Sequence, residues 1–170
     1  MSLLSSLVKF GINQDLPCLA ICPGAEFGPA KKWPSCYYAE VCNEYLIKDW
    51  NVLVFGSIND DLTGSKIESD INKQYSQSFF NLVGKTSLID AIDLMSHCKK
   101  AVTNDSGLMH IAGAVDCKII ALYGSSSPFY TPPLISNDKG EVIYKNLDCS
   151  PCHQRTCPLK HLIVQLFDPF

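Results

Sequence analysis

The sequence predicts an α/β fold, a Rossmann-like three-layer domain built on a mostly parallel sheet. Three observations carry that prediction. Apolar runs recur as strand candidates over 18–22, 51–56, 79–83, 101–103, 118–123 and 141–144. Helical patterns over 35–48, 61–73, 87–99 and 106–115 alternate with them. Turn-forming loops follow several of the strands. Strands that read as unbroken apolar runs between helices imply a parallel sheet covered on both faces. Right-handed crossovers then bring the strand C-termini to one edge, where ligands of such sheets bind.

In chain order, Cys18 to Cys22 is an apolar run stopped by Pro23-Gly24, and the loop from Pro23 to Pro34 leads into helix 35–48. Asn51-Val52-Leu53-Val54-Phe55-Gly56 enters a turn at Ser57. Helix 61–73 and strand 79–83 follow. After Gly84-Lys85, Thr86 and Ser87 cap helix 87–99. Ala101-Val102 runs into Asn104 and Asp105, both good N-caps, and helix 106–115 opens with Ser106 and Gly107. Lys118 to Tyr123 is the next strand, ended by Gly124. Thr131-Pro132-Pro133 and Asn137-Asp138-Lys139-Gly140 break the chain before strand 141–144. Residues 1–17 are read as a leader segment and 18–170 as one domain.

The 170 residues are enough for one domain with a real core, and a formal charge of −3 gives no global attraction to nucleic acid or an anionic membrane. No apolar run is long enough to span a bilayer. Met1 to Phe10 lacks the basic region and cleavage site of a signal peptide. Of nine cysteines, Cys18, Cys22, Cys36, Cys42, Cys98 and Cys117 lie in or beside strand and helix patterns, as buried thiols do. Cys149, Cys152 and Cys157 form C-x2-C-x4-C. Zinc completed by His153 or His161, a reduced loop and a local disulfide are the alternatives, and the absence of a second CxxC pair argues against zinc.

Candidate site residues cluster in the loops after strands. The backbone N–H groups of Ser106, Gly107 and Leu108 open a helix and suit a phosphate. Gly107 lets backbone approach closely. His110, one turn after Ser106, is placed to donate to a phosphate oxygen or to pack beside Tyr123. The side chains of Leu108, Ile111, Ala112 and Val115 read as the core stripe. Lys31 or Lys32 could neutralise a diphosphate, and Lys32 is the one read as a solvated surface lysine. Asp105 is a cap, a contact to sugar hydroxyls, or both. Asn104, in the same strand-end turn, is a candidate substrate-binding residue. Glu26, Ser57 and Asp60 are candidates for ribose or sugar hydroxyls, and Thr86 for a cap or a donor contact. Ser125, Ser126 and Ser127 read as a loop lining the same edge, with no nucleophile elbow. No Asp-x-Asp is present to hold a metal, and no cofactor is expected.

Val102-Thr103-Asn104-Asp105-Ser106-Gly107-Leu108-Met109-His110, the Pro23–Pro34 loop with Lys31-Lys32-Trp33-Pro34, and the strand-turns at 51–57 and 118–128 stand in an order that resembles the ADP-heptose:lipopolysaccharide heptosyltransferases of glycosyltransferase family nine. The resemblance runs from about Leu19 to Pro158. It implies the carboxy-terminal half of a two-domain GT-B enzyme, with the amino-terminal acceptor domain absent through a truncated or split gene or as a cloned domain. The implied reaction moves heptose from ADP-heptose to the lipopolysaccharide inner core, with inversion by direct displacement. Lys31 is then the lysine that stabilises the leaving diphosphate, and Asp105 contacts the donor; these two are the candidate catalytic residues. Some family members carry a glutamate in the second strand loop, where this chain has Ser57-Ile58-Asn59-Asp60. Comparable Cys-Ser-Pro-Cys segments occur in the family without zinc. The implied place is the cytoplasm of a Gram-negative bacterium, with peripheral contact at the inner membrane. Rival expectations are a non-catalytic nucleotide-sugar-binding module and a sugar-nucleotide epimerase-like domain.

Overall fold

The computed structural model describes residues 5–135 and 138–159. Its strands are β1 (Cys18–Cys22), β2 (Asn51–Val54), β3 (Phe79–Asn81), β4 (Cys98–Asn104), β5 (Lys118–Tyr123) and β6 (Gly140–Tyr144). Its α-helices are α1 (Ser6–Lys9), α2 (Ser35–Leu46), α3 (Asp61–Ser69), α4 (Leu88–Ser96) and α5 (Gly107–Ala114). The strands form one sheet in the order β3-β2-β1-β4-β5-β6, and every pairing is parallel.

Period-two alternation divides the core between the two faces. Along β1, Leu19 and Ile21 pack beneath α2 and α3 with Tyr38, Cys42, Leu46 and Ile67. Cys18, Ala20 and Cys22 point the other way, toward Leu94, Met95, Met109 and Ala112 of α4 and α5. The small residues on that face let the helices sit close. A strand buried on both faces must be apolar at every position, which is why β1 reads as an unbroken run.

Several boundaries differ from the sequence expectation, most by a residue or two, and the larger differences have physical causes. Helix 87–99 ends at Ser96, because Cys98 already begins β4 and pairs beside Cys18. Lys99 and Lys100 hide that start, although Lys100 lays its ammonium near the rings of Tyr45 and Trp50. Helix 61–73 ends at Ser69, and a 3-10 turn over Lys73–Ser78 follows, capped by Asn72. Within 1–17 a short helix forms where none is predicted. Ser5 caps α1, and Leu7 and Ile12 join the core beneath α4.

The sheet order reverses between β1 and β4. The chain leaving β1 turns to one face and the chain leaving β4 to the other, so a crevice opens between their ends. Among the described residues no helix is long and apolar enough to cross a membrane.

Candidate functional site

The crevice is built around Asn104, the last residue of β4. Its Oδ1 accepts hydrogen bonds from the Trp33 backbone N–H at 3.2 Å and the Tyr38 hydroxyl at 3.0 Å. Its Nδ2 donates to the Pro23 carbonyl at 2.8 Å. Burial pushes the Tyr38 hydroxyl well above its ordinary pKa, which keeps it protonated as a donor. Asn104 thus ties both ends of the Pro23–Pro34 loop to the central strand. It is fully buried, and its bonds go to protein groups. Those bonds leave its amide committed to shaping the loop instead of facing a ligand.

That loop ends in a 3-10 turn, Pro29–Lys31, which carries Lys31 across the crevice. Lys31 Nζ lies 2.5 Å from Asp105 Oδ2, with side-chain exposures of 16% and 6%. Asp105 therefore does not cap α5, as its position after the strand suggested. The residue at the N-cap is Ser106, in extended backbone, and no side chain hydrogen-bonds there. A cation at ion-pair distance is a stronger partner for a carboxylate than a neutral amide. The consequence is an α5 N-terminus with no side-chain cap. The Ser106 hydroxyl and His110 Nδ1 are buried and have no hydrogen-bond partner among the described residues.

A second ion pair stands beside the first. Lys32 Nζ lies 2.9 Å from Asp60 Oδ1 and is mostly buried, which corrects its reading as a solvated lysine. Asp60 Oδ2 accepts from the backbone N–H of Ser57 at 3.1 Å and from its hydroxyl at 3.0 Å. The carboxylate closes the turn after β2 and clasps the loop after β1. Its oxygens are largely committed, so Asp60 is a positioning group before it is a ribose ligand. Gly24 is required here: a Cβ would stand 2.6 Å from Asp60 Oδ2.

Between these loops lies a cleft of about 460 Å³. Glu26, Ser57, Asp60, Thr86, Ser106, Gly107 and Leu108 line it, seven of the residues expected at the site. Ser87 also lines it and is the cap of α4, through a reciprocal pair with Asp90. Thr86 is left facing the cleft. Lys31, Asp105 and His110 are not among the residues that line it; Asp105 and His110 flank the lining residues Ser106 to Leu108 in sequence, and Lys31 pairs with Asp105. Leu108 and Ile111 face the cleft as well as the core, so the apolar stripe of α5 centres on Met109 and Ala112 instead.

Ser125, Ser126 and Ser127 follow β5 at the same edge but outside the lining of the cleft; they are buried, and the hydroxyls of Ser125 and Ser126 have no partner among the described residues. Cys36 is exposed, whereas Cys18, Cys22, Cys42, Cys98 and Cys117 are buried as expected. Burial, the dominant effect, pushes the Cys117 thiol up to about 12. Among the described residues no three His, Cys, Asp or Glu side chains gather as a metal site. His161 and the tail from Leu162 lie outside the described residues.

Sequence reasoning missed Arg155. Its Nε donates to the Phe27 carbonyl at 2.7 Å, and its own carbonyl accepts from Ala30 at 3.1 Å. No motif around Arg155 signals this, because the contact spans 128 residues of sequence.

Comparison with known proteins places this geometry. A lipooligosaccharide heptosyltransferase 2 of Haemophilus influenzae is 47% identical over 129 residues, covering 76% of this chain and 37% of that protein. A lipopolysaccharide heptosyltransferase 2 of Salmonella typhimurium is 46% identical over 134 residues, covering 79% and 38%. The solved structure of E. coli ADP-heptose LPS heptosyltransferase II matches with a TM-score of 0.77 at 43% identity, over 81% of this chain and 41% of that one. The chain spans well under half the length of these relatives. The profile of glycosyltransferase family 9 (heptosyltransferase) matches residues 5–163. On that match and these identities, the chain belongs to glycosyltransferase family 9.

Proposed function

We propose that this chain is the donor-binding half of an ADP-heptose:lipopolysaccharide heptosyltransferase of the second type. One observation carries the proposal: the mostly buried Lys31 ammonium stands beside an uncapped helix N-terminus at a cleft of nucleotide size. A diphosphate needs cationic charge and N–H donors, and these are the groups on offer. The names of the relatives supply heptose as the sugar and lipopolysaccharide as the acceptor.

In the proposed reaction the acceptor hydroxyl oxygen attacks the anomeric carbon of heptose. The bond from that carbon to the β-phosphate oxygen breaks, and ADP leaves with the electron pair. Lys31 and the amides of Ser106, Gly107 and Leu108 stabilise the charge that grows on the phosphate. His110 donates to a phosphate oxygen. Glu26, Ser57 and Thr86 receive ribose or sugar hydroxyls. Asp105, the partner of Lys31, reaches the heptose. The hydroxyl proton passes to a base on the amino-terminal, acceptor-binding domain that completes the enzyme. The work is done in the cytoplasm, with the acceptor held at the inner face of the inner membrane.

Calorimetric titration with ADP and adenosine, in EDTA, tests the donor site. ADP should bind without divalent metal. Lys31→Ala should weaken ADP about tenfold and leave adenosine nearly unchanged, the loss of one charged hydrogen bond. Equal losses for both ligands, or ADP binding abolished by EDTA, would overturn the assignment.

A further inference from the structure

The Cys-x2-Cys-x4-Cys segment has no part in the reaction above, yet it crosses the strand-end edge. Ser150 Oγ donates to the Gly124 carbonyl at 2.7 Å, and the His153 N–H donates to the Ser125 carbonyl at 2.8 Å. These bonds fasten the segment to the loop after β5. At Arg155 it reaches the loop after β1, where Phe27 and Ala30 bracket the turn that carries Lys31. The Arg155 guanidinium lies 5.5 Å from the centre of the Phe27 ring, and Lys31 Nζ lies 5.1 Å from the same ring. Gly28 fits against the segment so closely that a Cβ would stand 2.5 Å from the Arg155 carbonyl.

We infer that Arg155 is a positioning residue for Lys31, and that residues 150–155 are a strap holding the diphosphate loop at its working distance from α5. Lys31 sits on a three-residue 3-10 turn, which has little rigidity of its own. Asn104 fixes the ends of the loop, at Pro23 and Trp33, but leaves its middle. The ion pairs of Lys31 and Lys32 hold the side chains that follow, and Arg155 holds the backbone of the middle with one side-chain bond, one backbone bond and a cation over Phe27. A misplacement of about 1 Å at a charge-stabilising group is enough to lose most of its effect. The Phe27 ring ties the positions of the two cations together.

The inference rests on the donor-binding reading only through ADP, so its test has two arms. In the ligand-free chain, hydrogen exchange of the backbone amides over 27–32 should rise in Arg155→Ala and in Gly28→Ala, while amides of β1 and β4 stay protected. For ligand, Arg155→Ala should weaken ADP roughly three- to tenfold, the worth of about one hydrogen bond, and leave adenosine unchanged. Combined with Lys31→Ala it should cost nothing further, since the two act as a unit. Unchanged exchange over 27–32, or an ADP loss that simply adds to that of Lys31→Ala, overturns the strap. If the parent chain binds no ADP, the donor-binding reading fails and the exchange arm still decides the strap.

Discussion

At the scale of the residue, Asn104 shows how position and role separate. The sequence places it at a strand end beside a helix start, where a ligand contact and a cap look equally natural. The structure spends it on Trp33, Tyr38 and Pro23. Asn104→Ala should lower stability by about 2–4 kcal/mol in urea titration, since the buried Tyr38 hydroxyl and Pro23 carbonyl both lose its amide. A loss under ~1 kcal/mol would mean that water or a shifted side chain replaces it. Lys31 was singled out because its neighbours Trp33-Pro34 carry a family pattern. Its pairing with Asp105 was not, since 74 residues separate them and only the sheet order brings them together. Lys32 was misread for the same reason: Asp60 lies across the edge on another loop.

At the scale of the element, the strands were legible because a doubly covered sheet demands apolar residues at each position. The exceptions are instructive. The start of β4 is masked by two lysines, and α1 is too short to show a period. Tertiary contacts define α1 instead. Asp90 Oδ1 and Oδ2 accept from Lys9 Nζ at 2.8 Å, and Asp93 accepts from the Ser6 N–H at 2.7 Å. The Lys9 ammonium, then Ser87, holds the Asp90 carboxyl well below the usual carboxylate range. Asp93 is lowered by its bonds from Ser6. A depressed carboxylate pKa contributes stability that is present above the unfolded value near 4 and lost as pH falls through the folded value. The urea midpoint should therefore fall on going from pH 7 to pH 3. Asp90→Asn should be less stable at pH 7 and show a shallower fall. An identical pH dependence in the variant would remove Asp90 from the account.

At the scale of the whole molecule, the mostly parallel sheet was legible as a class, and the order of strands, with its reversal between β1 and β4, came from the structure. Seven expected residues do line one cleft, which follows from the topology more than from any motif. What this chain offers is one side of a reaction. On the proposed function its loops would hold charge for a leaving diphosphate, while a displacement needs acceptor and base aligned on the opposite face of the anomeric carbon. Mixed with ADP-heptose and a heptose-terminated acceptor, the chain alone should give no transfer. Transfer should appear when it is joined to the amino-terminal domain of a relative. Turnover by the chain alone would make Asp105 the first candidate base.

On the donor-binding proposal, the Lys31–Asp105 pair has a consequence for turnover. Asp105 stands at ion-pair distance from the lysine, so an incoming diphosphate must share or displace it. A tethered competitor of this kind lowers apparent affinity by the fraction of time it holds the cation. It also waits to reclaim the lysine when ADP loosens, which hastens departure of the product. Asp105→Asn keeps the shape and removes the competing charge. It should bind ADP more tightly and release it more slowly in stopped-flow displacement. Faster release from the variant would show that the carboxylate helps to retain the nucleotide instead of expelling it. If that prediction holds, the proposed site gives up resting affinity to keep its product from becoming its inhibitor.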